Sequence, residues 1–231
     1  MQAAVVAGAI ALDAVMVELA RQRPVFHSEG DLRFSFAAHV QRAAAAQGRD
    51  VEARFDVFSR HLGAATVPLL LLEGAVGTIV ELAYAPSAWS GATHRADGVS
   101  PERVDVHQQG PPYLARQRYV SALERVEEHI ANTAFQQSVG CTRLSGLVLL
   151  LTNAPGLWTP PVTAPTTHDR QFRLHEGRVL QGRLAWGTGS ANRTRLLRGS
   201  SPLAWHDYSL LDPSPHGLFR WLAVEPIPSR A

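Results

Sequence analysis

The stretch GTIVELAYAP, Gly77 to Pro86, sets one carboxylate, Glu81, in an otherwise apolar run. A carboxylate taken out of water needs a partner, and an arginine, a polar strand end or a metal ion would each serve. Strands reading Glu-x-Lys hold a metal ion beside a phosphate, where the lysine orients or activates the attacking water. Here the residue two positions on is Ala83. All 22 basic residues are arginines and the chain has no lysine, so no other segment can lend the amine. Schiff-base and P-loop lysine chemistry are excluded with it. Arginine is a poor base because it stays protonated, although it can stabilise phosphate charge.

The other reactive side chains give weaker patterns. His27, Ser28 and Glu29 are neighbours at a helix entry and do not point at one another as a hydrolytic triad must. His168, His175, His206 and His216 lack metal-ligand spacing. Cys141 is the single cysteine, which excludes an internal disulfide and leaves a buried thiol as its reading. The segment WGTGSANRTR, Trp186 to Arg195, sets Gly and Ser beside Arg193 and Arg195, with Arg198 following, and is read as a solvent loop with arginines available to phosphate. Trp158, Trp186, Trp205 and Trp221 are candidates for base stacking, with packing the commoner use.

These residues must be positioned by a soluble chain of 231 residues, 45% hydrophobic and 18% charged, a length that suits one domain. The N-terminal 24 residues carry an apolar face at Val5, Ile10, Leu12, Val15, Met16 and Leu19 and predict a packed helix over 1–24 rather than a secretory signal. Ser28 as N-cap and Asp31 in the first turn open a second helix, from Glu29 to about Gln47 with a stop at Gly48. Val51, Ala53, Phe55 and Val57 alternate as a half-buried strand. TVPLLLLEGAVGTIVELAYAP predicts a hairpin turning at Glu73 and Gly74. Ser87 to Pro112 reads as a long connection. Leu114, Tyr119, Leu123, Val126 and Ile130 mark an amphipathic helix whose acidic cluster, Glu124, Glu127 and Glu128, reads as a solvated face. LSGLVLLLTNAP is apolar on both sides, as a central strand is. A crossover helix before such a strand implies an α/β core. QFRLHEGRVLQGRLAWG reads as a β hairpin and GLFRWLAVEPI as a closing strand. The expectation is one domain over 1–231, with a core over 25–155 in the order αβββαβ and a β-rich part over 156–231.

A net charge of +2 and a pI of about 9.1 lean basic and are compatible with a polyanionic partner. No run long and apolar enough to span a membrane occurs, and the chain is read as cytoplasmic.

The order of motifs resembles a group of bacterial proteins in the restriction-endonuclease-like PD-(D/E)xK nuclease superfamily. The matching stretches are HSEGD (27–31), VELAY (80–84), LTN (151–153), FRLHEG (172–177), WHDYS (205–209) and FRWL (219–222), which together span Val25 to Glu225. The resemblance implies a mixed sheet flanked by helices, with carboxylates holding Mg²⁺ against a scissile phosphate. Glu29 matches the first-helix glutamate and Glu81 the glutamate of the Glu-x-Lys strand. The aspartate position falls on or beside Pro68 and the lysine position on Ala83, so half of the constellation is missing. Glu52 and Asp56, on the neighbouring strand, are the candidates to replace the lost carboxylate.

The expected function is therefore a nuclease-superfamily scaffold with a degraded site. It binds nucleic acid, through Arg193, Arg195 and Arg198, or another protein, and needs no cofactor. The alternatives are an active Mg²⁺-dependent nuclease that uses Glu29, Glu81 and Asp56 or Glu52, and an interaction module with no nucleic-acid role.

Overall fold

The computed structural model describes residues 4–63, 65–94, 100–162, 167–187 and 193–226. Its first element is not the helix expected over 1–24. Val5–Val6 (β1) pairs antiparallel with Ile10–Ala11 (β2), and α1 covers only Leu12–Gln22. The turn between the two strands is held from outside, because the Ala7 N–H donates to Thr78 Oγ1 at 3.1 Å. Gly8 has φ +80°, and a Cβ there would lie 3.1 Å from Val76 Cγ1. The conformation and the close approach both call for glycine.

The second helix, α2 (Glu29–Ala45), starts where its signals predict. Ser28 Oγ accepts the Asp31 N–H at 3.1 Å, and the Asp31 carboxylate accepts the His27 N–H and pairs with Arg23. Three strands follow as an antiparallel meander: β3 (Glu52–Ser59), β4 (Ala65–Glu73) and β5 (Val76–Tyr84). The segment read as a plain connection contains an antiparallel pair, β6 (Trp89–His94) and β7 (Pro101–Val106). Among its described residues the buried apolar ones are Trp89, Val104 and Val106, too few to show a period of two.

Then come α3 (Pro112–Ala131), α4 (Thr133–Ser138), β8 (Arg143–Thr152) and the single turn α5 (Pro155–Trp158). The C-terminal part adds β9 (Val179–Leu184), β10 (Arg195–Pro202), β11 (Trp205–Leu210) and β12 (Leu218–Val224). The hairpin predicted within QFRLHEGRVLQGRLAWG does not form. Arg170–Phe172 is a 3₁₀ turn, and β9 pairs instead with β10. Glu176 accepts the Trp205 N–H at 3.0 Å, which ties this segment to β11 rather than to itself.

One six-stranded sheet organises the molecule in the order β11-β12-β8-β5-β4-β3, with β5 and β8 its parallel pair. The sheet is buried on both faces, so β8 carries no polar alternation. Beneath α1 and α2, Leu19, Phe36 and Val40 pack with Leu69, Val80 and Leu149. On the other face Tyr119, Leu123 and Val126 of α3 pack with Leu70, Ile79 and Leu150. The architecture is α/β, a mixed sheet flanked by helices with a strand-rich C-terminal part, and it contains the expected order αβββαβ with β6–β7 inserted.

β3 and β4 change face together. Phe55 and Leu69 lie in the layer under α2, whereas Val57 and Val67 lie in the layer under α3. Between them stands Asp56, with φ +50°, across from Pro68. Proline offers no N–H to a ladder, and the pairing skips this step.

Candidate functional site

Two carboxylates were singled out by the sequence, and the fold gives them different partners. Glu81 points from β5 toward α3, and its side chain is 9% exposed. Arg125 Nε donates to Oε1 at 3.1 Å and Nη2 to Oε2 at 3.0 Å, so both oxygens are engaged in a two-point pair. Glu29 sits on the opposite face, in the first turn of α2. It is exposed, and its Oε2 accepts the main-chain N–H of Tyr84 at 3.3 Å. Tyr84 is three residues beyond Glu81, about 10 Å along the strand.

The cross-strand row through Glu81 shows what stands at the other expected positions. The β4–β5 ladder ends at Leu69 opposite Val80, and one further step lays Pro68 beside Glu81. The next residue in the row is Asp56 on β3, two strands and about 10 Å from Glu81. Asp56 is turned to Arg33, whose Nη1 donates to Oδ1 at 2.9 Å and lies 3.4 Å from the Pro68 carbonyl oxygen. Glu52 pairs with Arg54 on its own strand, at 2.8 Å. Ala83 is half-buried against the α3 layer.

These residues do not fit one Mg²⁺ ion. Glu81 has both oxygens on a guanidinium, Asp56 is held by a second arginine two strands away, and Glu29 meets the sheet near the end of β5. Pro68 and Ala83 bring no ligand atom. Among the described residues, no group of three or more His, Cys, Asp or Glu side chains is placed to hold a metal.

His129, one turn beyond Arg125 on α3, is 3% exposed, and its Nδ1 has no hydrogen-bond partner among the described residues. Burial pushes its imidazole below the ordinary value; Arg125 acts in the same direction and Glu81 opposes it. Tyr84 is pushed well up by burial, although its hydroxyl donates to the Phe26 carbonyl at 2.9 Å.

Within the acidic cluster on α3, Glu128 is exposed as expected, whereas Glu127 and Glu124 are engaged by β10. Glu127 is 2% exposed and accepts the main-chain N–H groups of Arg198 and Gly199 at 2.7 and 3.0 Å. Those two residues form the irregularity in β10 where its pairing with β9 shifts, between Leu197 and Ser200. Their N–H groups have left the ladder, and the carboxylate takes both. Glu124 accepts the Leu196 N–H at 2.8 Å and pairs with Arg195 at 3.2 Å. Of the three arginines expected to meet phosphate, Arg195 is thus committed to Glu124 and to Ser121 Oγ, at 2.8 Å. Arg193 is exposed above the Trp186 ring, and Arg198 is exposed at the β10 irregularity. Residues 188–192 of the loop between Trp186 and Arg195 lie outside the described residues. Trp186, Trp205 and Trp221 are each about 5–6% exposed, and Trp158 packs on Trp205 with Arg220 over its ring, so the C-terminal tryptophans pack rather than present faces.

Several of the motifs singled out from the sequence make long-range hydrogen bonds at or beside one another. In LTN, Thr152 donates to the Ala85 carbonyl at 2.6 Å, and Asn153 accepts the Ser87 N–H at 2.7 Å, anchoring the exit of VELAY. In WHDYS, Tyr208 and Ser209 donate to the Arg23 and Pro24 carbonyls, just before HSEGD. The Trp205 indole N–H donates to the Leu174 carbonyl of FRLHEG at 2.7 Å. LTN, WHDYS and FRLHEG thus each take part in a long-range joint of the fold. Compared with family models, with curated proteins and with solved structures, the chain has no significant match in any of the three.

Arg125 and Arg33, which decide the state of the site, were not singled out from the sequence. The isolated Glu81 called for a partner, an arginine among the options, but nothing local to it says which arginine answers. Among the described residues, no helix is long and apolar enough to cross a membrane.

Proposed function

We propose that the chain is a nuclease-type scaffold that has exchanged hydrolytic chemistry for binding, and that it holds nucleic acid by the phosphate backbone. One observation carries the reading: the carboxylate left on the Glu-x-Lys strand is a closed ion pair with Arg125. A metal ion would have to displace a guanidinium from both oxygens, with proline beside it and alanine two residues on. The order αβββαβ, with the crossover helix opposite α2, supports the scaffold half of the proposal.

The binding half rests on the C-terminal arginines. Arg170, Arg183, Arg193 and Arg198 are exposed on the β9–β10 side of the molecule, and among the described residues none is paired with a carboxylate. Arg183 lies across the ladder from exposed Leu196, so it projects from the outer side of the strand pair. Phosphate contacts of this kind are independent of sequence and sensitive to salt.

The test uses the full chain with labelled DNA and RNA, single- and double-stranded, in gel shift and cleavage formats. Binding that weakens steeply with salt and falls in Arg183→Glu and Arg198→Glu, with no cleavage in Mg²⁺ or Mn²⁺, is the expected result. Cleavage abolished by Glu81→Ala overturns the silent site, and no retention at low salt overturns the nucleic-acid partner.

A further inference from the structure

Among the described residues, β3 is the outermost strand of the large sheet and pairs with β4 alone. Alternate main-chain N–H and C=O groups of such an edge point away from its one neighbour and are open to another strand. Upstream of Asp56 the edge carries the Glu52–Arg54 pair. Downstream it changes character, because the left-handed Asp56 turns the strand and Phe58 emerges 66% exposed.

Beside this stretch runs an open groove of about 440 Å³, between the end of β3 and the end of α4. Val57, Phe58 and Val139 supply an apolar floor, and Arg54, Arg60 and His61 supply the polar rim. Among the described residues the lining contains no carboxylate, and Glu52 pairs with Arg54 from outside it. Asn132 Nδ2 donates to the His61 carbonyl at 2.9 Å, which ties the groove wall to the end of α3.

We infer that this groove is a docking site for an extended acidic peptide of a partner protein, added as a strand along Val57–Ser59. Its acidic side chains would meet Arg60 and His61, since Arg54 is already held by Glu52, and an apolar side chain beside them would cover Phe58. Three features select this occupant. Arg60 and His61 on the rim select negative charge, the apolar floor selects a side chain beside the charges, and the sheet edge selects a main chain with amides. A phosphate backbone satisfies the first feature alone. The inference is independent of the nucleic-acid reading, which uses the β9–β10 side.

The test titrates the full chain into a fluorescein-labelled short peptide that alternates glutamate with leucine, read by anisotropy. Saturable binding is expected, weakened about tenfold by Phe58→Ser and similarly by Arg60→Glu. Both side chains are exposed, and the thermal midpoints of both variants should match the parent. A peptide alternating lysine with leucine should not bind, and N-methylation of alternate amides in the acidic peptide should abolish binding. The inference is overturned by no binding of the acidic peptide, by equal binding in both variants, by binding unchanged on N-methylation, or by displacement with duplex DNA that the two variants also bind less well. Self-association of the chain that Phe58→Ser abolishes would assign the groove to a second copy and overturns it as well.

Discussion

Arg125 holds Glu81 asymmetrically: the guanidinium is 44% exposed on α3, and the carboxylate it grips is 9% exposed within β5. The outer partner keeps most of its hydration, while the inner one depends on the pair. Removing one side is therefore not equivalent to removing the other.

Arg125→Ala strands a buried carboxylate and should destabilise the fold by about 2–3 kcal/mol, below the range for fully buried pairs because Arg125 is half in water. Glu81→Leu with Arg125→Leu removes both charges and should cost less than Arg125→Ala alone. Denaturant midpoints at constant m-value give the comparison. A double variant less stable than Arg125→Ala would contradict the asymmetry.

Much of the frame was legible in the sequence because each element carried its own period. Ser28 and Asp31 marked the start of α2, the run from Leu147 to Leu151 marked a central strand, and Glu81 called for a partner. The rest depended on contacts far apart in the chain. Glu127 looks solvated on a helical wheel, and only β10 docking on α3, 71 residues away, buries it. The β1–β2 turn is helical by pattern and is held open by Thr78, also 71 residues away. Asp56 gives no local sign that it faces a proline on the next strand.

A lysine placed at position 83 should not confer hydrolysis. Ala83→Lys supplies an amine next to a carboxylate that remains on Arg125, with Pro68 still beside it. Nuclease assays in Mg²⁺ and Mn²⁺ should stay at background for this variant. Metal-dependent cleavage gained by Ala83→Lys alone would show that Glu81 is available as a ligand.

Glu127→Ala leaves the N–H groups of Arg198 and Gly199 without their acceptor in a nearly closed layer. The expected cost is about 2–3 kcal/mol, and Glu127→Gln, which keeps one acceptor, should lose about half as much. Amide exchange at Arg198 and Gly199 should accelerate more than exchange in β8. Unchanged exchange at those two amides would show that the carboxylate is not what holds β10.

Gly146 on β8 lets α3 approach the sheet, since a Cβ there would lie 2.1 Å from Val126 Cγ1. Gly146→Ala should cost about 1–3 kcal/mol through overpacking. Combining it with Val126→Ala should recover part of the loss, giving a favourable coupling energy in a double-mutant cycle. Strict additivity of the two would mean that the helix shifts without involving Val126.

His129 gives the fold a defined acid sensitivity. Its folded-state value lies below the ordinary 6.5, with burial as the main cause. As pH falls past 6.5 the unfolded chain takes up a proton that the folded chain still refuses. Stability is therefore complete above 6.5 and declines as the pH drops toward the lowered folded value. His39 is lowered in the same direction by burial and contributes with the same sign. His129→Phe removes one of the two groups and leaves His39 in place. Thermal midpoints of parent and variant, followed from neutral to mildly acid pH, should converge as the parent loses stability faster. Parallel curves would mean that the buried imidazole accepts its proton without opening the layer between α3 and β5.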